Sequence, residues 1–135
     1  MEKTLIVLKP DAVQRGLCGE ILARFERRGF TIAAMKSLTV SRELAEKHYE
    51  EHASKPFFPG LVDFITGAPS VAMVLQGQDA IVLSRAMIGA TNPLQADPST
   101  IRGQFTNDKQ FNLIHGSDSP EAASREIALW FPELS

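Results

Sequence analysis

The chain has 135 residues, a net charge of −2 at pH 7 and 44% hydrophobic residues, which fits one ordinary globular domain with a sizeable core. That charge argues against a protein that grips a nucleic-acid backbone, so no nucleic-acid partner is expected. Cys18 is the one cysteine, which rules out an intrachain disulfide, and no apolar run approaches membrane-spanning length.

Thr4 to Leu8 predicts a buried strand, ended by Pro10. Leu5-Ile6-Val7-Leu8 is too short for a signal peptide and runs at once into Lys9-Pro10-Asp11, so cytoplasmic residence is expected. Gly19 to Arg28 reads as a helix with Ile21, Leu22 and Phe25 inward and Gly29 as its stop. Phe30 to Val40, rich in branched and apolar residues, reads as the second strand. Ser41 caps the next helix, on which Leu44, Ala45, His48, Tyr49 and His52 share a face. Lys55 to Gly60 is a proline-flanked break carrying Phe57 and Phe58, and Leu61 to Thr66 is a short helix stopped by Gly67. Val71 to Leu75 is the third strand, and Asp79 to Ile88 a helix stopped by Gly89. From Gly89 to Phe111 no period is visible, and Pro93, Pro98 and Gly103 interrupt the chain. A structureless stretch of that length inside a domain is usually functional or disordered.

Asn112 to Ser119 is the most telling segment. A short apolar strand carries His115 to its end, a polar turn follows, and Ser119-Pro120 starts a helix as N-cap and first helical residue. Ala123, Ile127, Trp130 and Phe131 then fall on one stripe of that helix. His115 thus stands at a strand–helix junction, where backbone N–H groups and the positive dipole end favour anions. The element order predicts an α+β, ferredoxin-like sandwich: a four-stranded antiparallel sheet covered by helices, with a long loop, residues 1–135 forming a single domain.

Neither a P-loop nor a G-x-G-x-x-G turn is present, so any phosphate must be held by side chains. Lys9, Arg85 and Arg102 are the basic candidates, and arginine suits phosphate because its planar fork serves two oxygens. Each is also the kind of residue that simply meets water. Phe57 and Tyr49, taken singly, read more readily as core than as ligand contacts. His48 and His52, four apart, could hold a metal as part of a hydrolase, but the H-E-x-x-H pattern and a third ligand are missing. Glu126 borders the apolar stripe and is either a solvated carboxylate or the partner that orients His115.

Lys9-Pro10-Asp11, Arg15-Gly16, Pro56-Phe57-Phe58, Gly89-Ala90-Thr91-Asn92-Pro93, Thr100-Ile101-Arg102-Gly103 and Asn112 through Ser119 together resemble the nucleoside diphosphate kinases, in register from Thr4 to Phe131. The resemblance implies a transferase acting with Mg²⁺. It would pass the γ-phosphate of a nucleoside triphosphate, typically ATP, to a nucleoside diphosphate by a ping-pong route through a phosphohistidine. His115 would then be the nucleophile, with Glu126 holding the other ring nitrogen and Ser117 beside it. Lys9, Tyr49, Arg85, Thr91, Arg102 and Asn112 would hold phosphates and ribose, Phe57 and Leu61 would sandwich the base, and the loop from Gly89 to Phe111 would grip the nucleotide. A homo-oligomer, hexamer or tetramer, is implied as well. The departures are Lys55 for a frequent arginine, Gln104 for an acidic residue, and Gln110-Phe111 for a common Gly-Arg. A non-enzymatic nucleotide-binding module of the same fold is the alternative, though it would leave His115 without a purpose.

Overall fold

The computed structural model describes residues 1–109 and 111–134; Gln110, one of the departures above, lies outside them. Four strands, β1 (Glu2–Leu8), β2 (Thr31–Leu38), β3 (Ser70–Gly77) and β4 (Ile114–Gly116), pair antiparallel in the order β2-β3-β1-β4. This is the four-stranded antiparallel sheet, with helices, that the sequence predicts. β1 reads as an unbroken apolar run because it is covered on both faces. Ile6 and Leu8 face Phe25, Ile88 and Ile101, while Leu5 and Val7 face Val62, Ile65, Trp130 and Phe131. Both sets are essentially solvent-free.

Seven α-helices are described: α1 (Pro10–Gln14), α2 (Cys18–Arg27), α3 (Arg42–His48), α4 (Phe58–Thr66), α5 (Ala80–Ile88), α6 (Ile101–Phe105) and α7 (Pro120–Trp130). The cap chemistry reads through directly at two of them. Ser41 accepts from Leu44 N–H, and Ser119 accepts from Ala122 N–H with Pro120 in the first turn.

Four expectations need correction. Pro10 does more than end β1, since it takes the first position of α1, where its fixed φ favours a helix. Pro59 sits in the first turn of α4, so that helix begins at Phe58 rather than Leu61. The segment from Gly89 to Phe111 is not without structure: it holds a short 3₁₀ turn (Pro93–Gln95) and α6, whose start is capped by Thr100 accepting from Gly103 N–H. Five residues are too few to show a period, which is why α6 is invisible to pattern reading. Finally, β4 begins at Ile114, because Asn112 and Leu113 are used in a turn.

Candidate active site

β4 is an edge strand that, among the described residues, pairs with the central β1 alone, Val7 opposite His115. The step into it is strained. Leu113 has φ 76°, and Ile114 N–H donates back to Asn112 O at 2.9 Å across it. A non-glycine residue in this conformation costs on the order of 1–3 kcal/mol and survives only where its surroundings hold it. Two contacts do so: Leu113 N–H donates to Asp11 Oδ2 at 3.0 Å, and Lys9 N–H donates to Leu113 O at 2.8 Å. Lys9 Nζ then reaches Asn112 Oδ1 at 2.8 Å. Burial, then the charge of Arg102, opposed by Asp11, brings the Lys9 ammonium down to about 8.

His115 is held from its far side. Its Nε2 lies 2.8 Å from Glu126 Oε1, the same oxygen that accepts from Ser117 Oγ–H at 2.7 Å. Ser117 Oγ in turn accepts from Leu5 N–H at 3.2 Å, so a hydrogen-bond chain runs from β1 to the imidazole. Burial alone would push the Glu126 carboxyl up; hydrogen bonds from His115 and Ser117 and the neighbouring imidazoles win, and bring it to about 2. An ionised carboxylate only accepts, so the ring proton of a neutral His115 is on Nε2 and Nδ1 keeps its lone pair. The ring is 24% exposed, and it lines a cleft of about 190 Å³.

Tyr49, Arg85, Thr91, Arg102, Asp118, Glu51 and His52 line the same cleft. Arg85 Nη1 donates to Gly116 O at 2.9 Å, which fixes the guanidinium beside the turn after His115. Arg102 is more committed than a phosphate ligand need be. It donates to Asn112 O at 3.3 Å, Gly89 O at 3.1 Å, Thr91 Oγ1 at 3.4 Å and Ile114 O at 2.6 Å, tying α6 to both ends of the loop. Burial, then the charge of Arg85, lowers it to about 10. Burial, helped by the Glu126 carboxylate, pushes the Tyr49 phenol up to about 12, so it stays a neutral donor.

Not every expected residue is on the cleft wall. Lys9, Asn112 and Ser117 are buried around the histidine strand instead. Phe57 and Leu61 stand one turn apart at the start of α4, with Phe57 half exposed. Phe64, a further turn on, meets Phe111 edge-on at 4.8 Å, so Phe111 packs the loop onto α4. Lys55 Nζ stands 5.7 Å from the Phe57 ring, and Gln104 is hydrogen-bonded to Arg24 of α2.

The paired reading of His48 and His52 does not survive. His52 packs on Phe57 at 5.5 Å, whereas the His48 ring stands against His115 at 4.6 Å. Among the described residues the one cluster with ligand atoms close enough for a metal is His48, His115 and Glu126. His48 is thus the site residue that sequence reasoning misplaces. Its signal was its place beside Leu44 and Ala45 on a buried stripe, where a histidine must find a polar partner.

The nucleoside diphosphate kinase family profile matches residues 2–135. The nucleoside diphosphate kinase of Carboxydothermus hydrogenoformans is 60% identical over 133 residues, covering 98% of this chain and 89% of that protein. Among solved structures, the nucleoside diphosphate kinase of Encephalitozoon cuniculi superposes with a TM-score of 0.95 at 44% identity, covering 97% of this chain and 89% of that one. The enzyme of Halobacterium salinarum, solved in complex with CDP, gives a TM-score of 0.94 at 50% identity over 96% of this chain and 87% of that one.

Proposed function

This chain belongs to the nucleoside diphosphate kinase family, and on that premise we propose that it transfers the γ-phosphate of a nucleoside triphosphate to a nucleoside diphosphate through His115. The observation that carries this reading is the free Nδ1 of a cleft-lining imidazole whose Nε2–H is taken by an ionised Glu126. A ring held in that tautomer needs no separate base to act as a nucleophile.

In the first half-reaction the Nδ1 lone pair of His115 forms a bond to Pγ. The bond from Pγ to the bridging oxygen breaks, and its electron pair leaves with the nucleoside diphosphate. Phosphorylation leaves the ring cationic, and Glu126 already stands against its Nε2–H, fixed by Ser117. The group in flight spreads charge over three oxygens, so the remaining work is electrostatic and calls for cations fixed in advance. Arg85 and Arg102 on the cleft wall and Lys9 behind the strand suit that role. A diphosphate entering the emptied site reverses every step, which makes the kinetics ping-pong.

The lining fits a Mg²⁺ that arrives on the polyphosphate. Asp118 and Glu51 are the wall carboxylates not spent on His115, and the rest of the wall is imidazole, hydroxyl and guanidinium rather than an oxygen cage. When bound, Mg²⁺ supplies charge neutralisation of the phosphate oxygens. Phe57 and Leu61 would take the base by stacking and apolar contact. That discriminates little among bases and suits an enzyme that balances nucleoside triphosphate and deoxynucleoside triphosphate pools. The exposed outer strand β2 is an unpaired edge that suits self-association, for which a hexamer or tetramer is our reading, and Cys18 as a free thiol suits a cytoplasmic setting. No described helix is long and apolar enough to cross a membrane.

Incubation with γ-labelled ATP and Mg²⁺, without an acceptor, should leave an acid-labile, base-stable label on His115 that any nucleoside diphosphate discharges. A protein that turns over without acquiring that label rejects the phosphohistidine route and leaves direct transfer, and one that neither turns over nor takes the label leaves simple nucleotide binding.

A further inference from the structure

His48, the last residue of α3, is the one buried titratable side chain of the cleft that the mechanism above does not use. Three rings box it in edge-on: Tyr49 at 4.7 Å, His115 at 4.6 Å and Trp130 at 5.4 Å between centroids. The indole N–H of Trp130 donates to His48 Nδ1 at 3.1 Å. An indole nitrogen only donates, so His48 Nδ1 must present a lone pair. Burial, then the neighbouring His115, brings the His48 imidazole down to about 3, so it carries a single proton at working pH. That proton is therefore on Nε2.

Where that N–H goes is the informative point. His48 Nε2 has no hydrogen-bond partner among the described residues, yet it is not one of the buried, unpartnered side-chain atoms. His48 lines the cleft that holds His115. A donor of fixed tautomer that touches the nucleophile's ring and has no acceptor in the protein is matched to an oxygen that a ligand brings. A cation is a poorer match, even though His48, His115 and Glu126 hold ligand atoms within 4.8 Å of one another. A metal on His48 Nε2 would force the proton onto Nδ1, against the indole N–H.

We propose that His48 donates its Nε2–H to an oxygen of the phosphoryl group as that group passes to and from His115 Nδ1, and that Trp130 is the positioning residue that fixes the required tautomer. This rests on the phosphohistidine reading. The bonds made and broken are those given above; His48 keeps its proton throughout and only donates. A neutral donor strengthens as charge gathers on the phosphoryl oxygens, without adding a further cation that would trap the phosphoenzyme.

The test is single-turnover labelling of His115 by γ-labelled ATP with Mg²⁺ in the wild type, His48→Phe and His48→Gln, with thermal melting to verify folding. Phenylalanine keeps the ring packing and loses the donor, whereas glutamine keeps a neutral N–H. The proposal expects His48→Phe to slow labelling by about tenfold to a hundredfold with little change in the half-saturating nucleotide concentration, and His48→Gln to recover most of that loss. Equal rates in the two variants would overturn it, since packing alone would then account for the residue. Nitrogen-15 NMR of the wild-type histidines supplies a second arm that does not depend on either variant folding. It should show His48 protonated on Nε2, with that resonance moving when His115 is phosphorylated. A proton on Nδ1, or a resonance indifferent to phosphorylation, would equally overturn the proposal. Failure of the phosphohistidine reading is distinct: the wild type would then take no label at all.

Discussion

Ile6 and Leu8 point to one face of the sheet, Leu5 and Val7 to the other, and the molecule uses the two faces differently. Toward α2, α5 and α6 the packing is an apolar cluster of Phe25, Met73, Ile88 and Ile101. Toward α3, α4 and α7 the cluster is equally apolar at its centre, but at its margin it passes into polar contacts. Trp130 is both a core side chain and the donor to His48, and Glu126, one turn before it on α7, is both buried and bonded to His115. The apolar packing of the first face supplies stability, and α5 and α6 reach the cleft only through Arg85 and Arg102 at its margin. The second spends part of its packing on holding polar groups in one orientation, so its residues answer for rate as well as for folding.

That division makes its largest prediction at His115. His115→Ala should lower turnover by about 10⁴-fold or more while the melting temperature stays near that of the wild type, since the ring is partly exposed and belongs to neither apolar cluster. Phe25→Ala is the converse. It should cost about 3–5 kcal/mol of stability in chemical denaturation, yet leave the kcat of the folded fraction unchanged. A Phe25→Ala protein that stayed folded but lost catalysis would break the separation of the two faces.

Glu126→Gln lies between these extremes, with an expected loss of about tenfold to a hundredfold in kcat, because the amide neither fixes the tautomer nor balances the charged ring. It also has a signature in stability. The Glu126 carboxyl is held at about 2 in the fold against an ordinary 4.5. Its contribution is therefore complete above pH 4.5 and lost as pH falls toward 2, and acid denaturation curves of wild type and Glu126→Gln should converge across that window.

The smallest effect belongs to Lys9. Its ammonium titrates at about 8 in the fold and 10.5 in the unfolded chain. The free enzyme thus loses the buried cation behind the histidine strand as pH rises through 8, and kcat/KM should fall there. Stability moves oppositely: the unfolded chain binds the extra proton between pH 8 and 10.5, so the penalty for burying the charge is relieved over that range. Comparison with Lys9→Met isolates both trends, and kcat/KM that stayed flat past pH 9 would take Lys9 out of the electrostatic set.

Much of this was legible in the sequence, and the reasons are local. Ser41 and Ser119-Pro120 announce their helices because capping needs only adjacent residues. The continuous apolar run of β1 announces a strand covered on both sides. His115 is conspicuous for the same reason, as a histidine ending an apolar strand before a cap. What stayed hidden depends on distant partners. His48 and Trp130 are separated by 82 residues, and no spacing rule brings them together. Arg102 reads as a solvated cation or a phosphate ligand, while its role in tying the loop rests on four acceptors scattered from Gly89 to Ile114. Leu113 carries no mark of its left-handed backbone, because Asp11, far back in the chain, is what holds it there.

Rapid-quench kinetics addresses the whole account at once. Mixed with labelled ATP and Mg²⁺, the protein should phosphorylate His115, and mixed next with a nucleoside diphosphate it should lose that phosphate, each step at least as fast as steady-state turnover. A phosphohistidine that forms or discharges more slowly than the enzyme turns over would show His115 to be a bystander, and the chemistry would have to be sought elsewhere in the cleft.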